Sequence, residues 1–310
     1  MTLLDQASRL RSLVARESGP RSAGRAVHVD RSDSGSHGRG VVAAVCSGKG
    51  GVGKTTFAVN AAVVLAREGV RVVLVDLDVG VANADVLLGA TPSRRLTRRD
   101  LLDGSVYGAM VRTKFGFDLV PGISGGHTAA RLSSSELDGA MVAIDALRAH
   151  ADVVLLDTGA GVGVESVALA ATADVSVVVT TPEPASIADA YAAHKCVAFA
   201  RTTPGEAVRA SSYLVVNNAS GAHDAASAAA RLDATSRRFL GGPMPSLGWI
   251  AQDRRVSRSA RSRVPVAVAA PMCRASRGIV SCAHAVWSVC LGVCADKPPA
   301  AAEVGVSAGR

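Results

Sequence analysis

Residues 47–56 read "SGKGGVGKTT". Gly48, Gly53, Lys54 and Thr55 meet the G-x-x-x-x-G-K-[ST] pattern of a phosphate-binding loop, and the pattern follows an apolar, β-branched run, 41–46 "VVAAVC". A strand feeding a glycine-rich turn that opens a helix is the context this motif needs. Gly48, Gly50, Gly51 and Gly53, with Val52 between them, let successive backbone N–H groups face phosphate oxygens, and the helix N-terminus adds a favourable dipole. Lys54 then reaches the β- and γ-phosphates, and Thr55, followed by Thr56, offers a hydroxyl to Mg²⁺. Lys49 is one lysine more than such a loop requires.

Working outward, apolar strand-like runs recur at 71–76, 117–120, 152–157, 175–180, 212–217 and 246–250. Several are apolar almost throughout, as strands buried on both faces must be. Helical stretches fit between them, including 54–68, ended by Gly69, and 134–150, where Ser133 and Glu136 have capping-box spacing. The alternation predicts an α/β fold: a doubly wound, mostly parallel sheet with helices on both faces. In such folds, carboxylates at the carboxyl ends of strands face the ligand crevice, which singles out Asp76 and Asp78 after the second strand. Asp85, further into that loop, reads as a solvated carboxylate.

The outer segments differ in kind. Residues 18–40, "SGPRSAGRAVHVDRSDSGSHGRG", read as a linker. Before it, residues 1–17 place Leu3, Leu4, Ala7, Leu10 and Val14 at helical spacing. On physical grounds this tethered helix either folds back on the main domain, residues 41–272, or docks on a partner. Residues 273–294 form a second amphipathic candidate, with Ile279, Ala283, Val286, Trp287 and Cys290 on one face; residues 295–310 read as a disordered tail.

Composition narrows the classes. The net charge is +8 and the pI about 9.6, which permits nucleic acid or anionic lipid without selecting either. Aromatic residues make up only 3%, which argues against base stacking on single strands. No uninterrupted apolar run of membrane-spanning length and no secretory signal is visible, so a cytoplasmic protein is expected. The six cysteines include no CxxC, and none lies between Cys46 and Cys196, which speaks against a metal cluster.

The loop resembles the deviant Walker A signature, KGGVGKTT, of the ParA/MinD family of dimerising ATPases. The resemblance covers roughly residues 41–280. It implies that Lys49 contacts the phosphates of the opposite protomer in an ATP-bound homodimer. It also implies that Asp76 and Asp157 (in "LLDTGAGVG") support Mg²⁺ through water, that Asp78 positions the attacking water, and that Asn217 and Asp253 lie on the adenine side. Asn218 and Ala251 depart from the family's usual residues there.

Within the family, "DVGVANADVLLG", "LLDTGAGVG" and "TTPEPASIADAY" are most similar to the FlhG/FleN (YlxH) flagellar-number regulators. Asp5, Gln6, Ala7, Leu10 and Arg11 match the DQAxxLR motif through which those proteins engage an SRP-type GTPase, FlhF. The implied partners extend to flagellar switch-complex proteins or a flagellar transcription regulator. The implied location extends to the inner face of the cell membrane, reached through the C-terminal helix in the ATP state. The alternatives are a ParA-type DNA-segregation ATPase, using the Arg-rich stretches 94–99 and 254–263, and a MinD-type division-site ATPase.

Overall fold

β-Branched residues at both faces of every central strand leave one stable arrangement, a sheet covered on two sides. The computed structural model, which describes residues 39–79, 82–123, 131–202 and 212–295, has that form. The strands are β1 (Val41–Ser47), β2 (Val72–Leu77), β3 (Val111–Arg112), β4 (Asp118–Val120), β5 (Val153–Ala160), β6 (Val175–Thr180), β7 (Ser212–Ala219) and β8 (Ser246–Ala251). They form one sheet in the order β3-β4-β2-β5-β1-β6-β7-β8. All neighbours are parallel except β3 and β4.

The helices are α1 (Lys54–Arg67), α2 (Ala84–Leu88), α3 (Arg98–Leu102), α4 (Ser134–Leu147), α5 (Val164–Thr172), α6 (Pro184–Arg201), α7 (Ala222–Leu240), α8 (Arg254–Arg261), α9 (Val266–Ala269) and α10 (Arg274–Ala295). The expected capping box is present on α4. Ser133 Oγ accepts from the Glu136 N–H, and the Glu136 carboxylate accepts from the Ser133 N–H at 2.7 Å. The period-2 alternation of β1 sorts the core into two layers. Val41, Ala43 and Val45 face α1, α9 and α10, and Val42, Ala44 and Cys46 face α4, α5, α6 and α7.

Three expectations change. The C-terminal helix is long and apolar enough to cross a bilayer by length and composition. Even so, Ile279, Ala283, Val286 and Cys290, the face offered for lipid, are buried in the core layer that contains α1, with Trp287 packed beside them. The approach is close: a Cβ on Gly278 would stand 2.6 Å from the Trp249 carbonyl oxygen on β8. An apolar stripe is common to both environments, and here the sheet edge takes it.

Asp85 is not solvated; it is buried and ion-paired with Arg95. The extra arginines of 94–99 meet acids of the same chain. Arg94 pairs with Asp100, Arg98 with Glu136 and Arg99 with Asp103. The expectations for residues 1–17, for the linker up to residue 38 and for the tail from residue 296 lie outside the described residues.

Candidate nucleotide site

The crevice lies where β1 ends in the glycine-rich loop, between the carboxyl ends of β2, β5 and β6. Two glycines there are sterically required. Gly53 has φ 89°, and a Cβ on it would sit 2.2 Å from Asn217 Nδ2; a Cβ on Gly48 would sit 1.9 Å from the Asp189 carbonyl oxygen. The loop is therefore packed against α6 and β7 and could not keep its shape with larger residues at these two positions.

Parallel pairing of β2 with β5 places Asp76 directly opposite Asp157. Both are buried, and Lys54, also buried, donates to Asp157 Oδ1 at 2.6 Å. Two carboxylates thus share one lysine out of contact with water. Burial, and then the neighbouring Asp157 charge, push the Asp76 carboxyl up to about 7. Asp157 is also raised by burial, against the pull of Lys54.

Asp76 accepts backbone N–H bonds from Asp78 on Oδ1 and from Asn83 and Ala84 on Oδ2, so it shapes the loop as well as charging the site. Asp157 Oδ2 is buried with no hydrogen-bond partner among the described residues. An orphaned carboxylate oxygen beside a second carboxylate and the Thr55 hydroxyl fits a hard divalent cation with oxygen ligands.

Asp78 stands at the mouth of this cluster. A Cβ on Gly159 would lie 3.9 Å from Asp78 Oδ1 and 2.9 Å from Ser166 Oγ, so the segment after Asp157 runs directly beside it. That segment is tied to β1: Thr158 Oγ1 donates to the Val45 carbonyl at 3.2 Å, and the Gly161 N–H donates to the Ser47 carbonyl at 2.8 Å. β5 continues to Ala160, beyond the strand end expected at residue 157.

Two residues expected on the adenine side have local partners. Asn217 Nδ2 donates to the Val52 carbonyl at 2.7 Å and so braces the loop. Asp253 caps α8, accepting the Arg255 N–H at 2.9 Å. Gly50, Gly51 and Thr56 lie in the loop and the first turn of α1 as expected, but Lys49 does not join the buried cluster. Its Nζ donates to Glu183 Oε2 at 3.1 Å, with the lysine side chain about one-third exposed and the glutamate two-thirds exposed. Glu183 lies in the "TTPEPASIADAY" stretch, 134 residues from Lys49, and no local spacing reveals their relation.

Residues 43–266 match the CobQ/CobB/MinD/ParA nucleotide binding domain. The chain is 34% identical to the antiactivator FleN of Pseudomonas aeruginosa over 249 residues, covering 80% of this chain and 86% of that one. It is also 34% identical to the flagellum site-determining protein YlxH of Helicobacter pylori, over 49% of this chain and 52% of that one. Among solved structures, the cell division ATPase MinD of Pyrococcus furiosus shares the fold, with a TM-score of 0.64 at 22% identity over 81% of this chain and 99% of that one.

Proposed function

Because the chain belongs to the CobQ/CobB/MinD/ParA nucleotide-binding family, on its FleN/YlxH branch, we propose that it is an ATP-driven dimerising switch controlling flagellar number or placement. The observation that carries the reading is the division of labour between two lysines in one loop. Lys54 lies inside, on Asp157, and Lys49 lies outside, on Glu183. A lysine facing away from its own buried cluster is placed to meet a phosphate presented by a second protomer.

In this reading Lys54 moves from Asp157 to the β- and γ-phosphates. Thr55 would hold Mg²⁺ directly and Asp157 and Asp76 would hold it through water, and the ion would supply charge neutralisation at the phosphates. Asp78 orients the attacking water, and Gly159 and its neighbours report whether the γ-phosphate is present. The carboxylates Asp76, Asp78 and Asp157 gather at the site with Lys54 as their cation, so the Lys49 of the opposite protomer supplies a further cation and intrinsic turnover is slow. The DQAxxLR segment, Asp5 to Arg11, would engage an SRP-type GTPase of the FlhF kind.

The test is light scattering after size exclusion on D78A with ATP–Mg²⁺ or ADP, with and without K49A. An ATP-only dimer that K49A abolishes supports the switch. A monomer in both nucleotides, with K49A silent, removes the trans role of Lys49 and with it this reading.

One observation favours a second reading, retention on DNA. Arg254, Arg258 and Arg261 on α8, with Arg263, Arg274 and Arg277 nearby in sequence, are exposed and have no acidic partner among the described residues. ATP-dependent binding to duplex DNA that weakens steeply with salt and is lost in Arg258→Glu would favour a ParA-type role.

A further inference from the structure

Outside the crevice, the largest exposed apolar side chains that sit together are on α3, α4 and the short 3₁₀ turn Tyr107–Ala109. Val142 is 63% exposed, Leu102 53% and Tyr107 41%. They are contiguous. A Cβ on Gly139 would lie 1.7 Å from the Leu101 carbonyl oxygen, and one on Gly104 would lie 3.3 Å from Val142 Cγ1. The Tyr107 hydroxyl donates to the Ala146 carbonyl at 3.1 Å, one turn along α4 from Val142. Glycine at these two positions lets α3 pack closely on α4, which sets Leu102 and Val142 along a shallow apolar trough with Tyr107 at one end. Scattered apolar residues on a surface need no explanation, but a contiguous group on two packed helices does.

The chain itself points to the occupant. The N-terminal segment enters the described fold at Arg39 and Gly40. Arg39 pairs with Asp145 on α4, the Gly40 N–H donates to the Arg148 carbonyl at 2.9 Å, and Arg148 returns a bond to the Gly40 carbonyl. Val142, Asp145 and Ala146 share one face of α4 by helical spacing. Arg39 and Gly40, where the described residues begin, therefore lie at the border of the trough.

The roughly 20 Gly/Ser-rich residues between the amphipathic segment and Arg39 span on the order of 25 Å as a coil. That covers the length of α4, about 21 Å for its 14 residues. The segment carries Leu3, Leu4, Ala7, Leu10 and Val14 as an apolar stripe, with Arg9, Arg11 and Arg16 beside it. Asp103 and Asp145, next in sequence to trough residues Leu102 and Ala146, already pair with Arg99 and with Arg39 and Arg148, so the fit rests on the apolar stripe and the reach of the tether.

We infer that residues 1–17 of this chain dock on the Leu102–Tyr107–Val142 trough of their own protomer, holding the N-terminal motif out of reach of a partner. Ala7 and Leu10 belong both to the apolar stripe and to the DQAxxLR motif, so docking and partner binding compete for the same side chains. The tethered helix then has two homes, and a partner must displace it from the first. This regulatory consequence rests on the partner reading proposed above; the docking itself does not.

Hydrogen–deuterium exchange on the full chain, with no partner present, tests the docking. Residues 1–17 should exchange about tenfold more slowly than a free peptide of the same sequence, and the protection should vanish in Val142→Glu. Val142 is a surface residue, so its variant should melt as the wild type does. Should it fail to fold, Leu10→Glu reads the same contact from the other side, as faster exchange in residues 98–109 and 134–147. Free-peptide exchange in the wild type overturns the inference, as does protection that survives both substitutions. Protection that grows with protein concentration also overturns it, because the occupant would then be a second copy. Failure here leaves the partner reading untouched, and a motif that binds no GTPase leaves the docking untouched.

Discussion

Lys54 and Lys49 are five residues apart in one loop and live in opposite physical regimes. Lys54 is nearly inaccessible and bonded at 2.6 Å to a carboxylate that is itself buried; Lys49 reaches out to a glutamate that is two-thirds exposed. In the interior a charge is held by its partner, because leaving either alone is costly. At the surface, water competes with the partner, and such a pair is worth at most about 1 kcal/mol. The inner lysine is thus built into the site, whereas the outer one is held lightly enough to be taken by something else.

The largest effect should come from the inner lysine. Lys54→Met removes the cation shared by Asp157 and Asp76. Nucleotide affinity should fall by at least about 100-fold, equivalent to roughly 3 kcal/mol, as measured by titration with a fluorescent ADP analogue. An affinity loss below about tenfold would mean that the Lys54–Asp157 pair is a structural strut and not a phosphate ligand in waiting.

Lys49→Ala should do less to one protomer and more to the pair. Stability to urea should stay within about 0.5 kcal/mol of wild type, since an exposed ion pair is all that is lost. ADP affinity should change by less than about threefold, while ATP-dependent dimerisation disappears. If ADP affinity collapsed as well, the two lysines would both belong to the same protomer's site and the contrast between them would be false.

The inner half of this contrast was legible in the sequence, and the outer half only through resemblance. Glycine spacing after an apolar strand places Lys54 and Thr55 without further information, and the strands that carry Asp76 and Asp157 announce themselves as unbroken β-branched runs. What was illegible depends on residues far apart in the chain. Asp85 looks like a loop carboxylate until Arg95 folds onto it.

The stretches 94–99 and 254–263 look alike in composition. Yet Glu136, 38 residues from Arg98, helps to neutralise the first, while the second keeps arginines facing solvent. The stripe on α10 has the spacing of a lipid-binding helix and of a core helix alike, and only the position of β8 decides between them. β3, two residues long and antiparallel, carries too few residues for any period to register.

Glu183 is the least legible of all, 134 residues from Lys49, and it sets the smallest effect and the finest test. If the glutamate merely parks Lys49 between dimerisation events, Glu183→Gln removes a competitor for that lysine. The ATP dimer should then tighten by about two- to fivefold, as the loss of an exposed pair worth under 1 kcal/mol allows. ADP should still leave the protein monomeric, because the substitution supplies no new contact. A concentration series by light scattering resolves a shift of this size. A weaker dimer would reverse the assignment: Glu183 would then be a contact that the second protomer needs, and the pairing with Lys49 only its resting place. The sign of this small change therefore says whether Lys49 is held back in the free protomer or simply stored there.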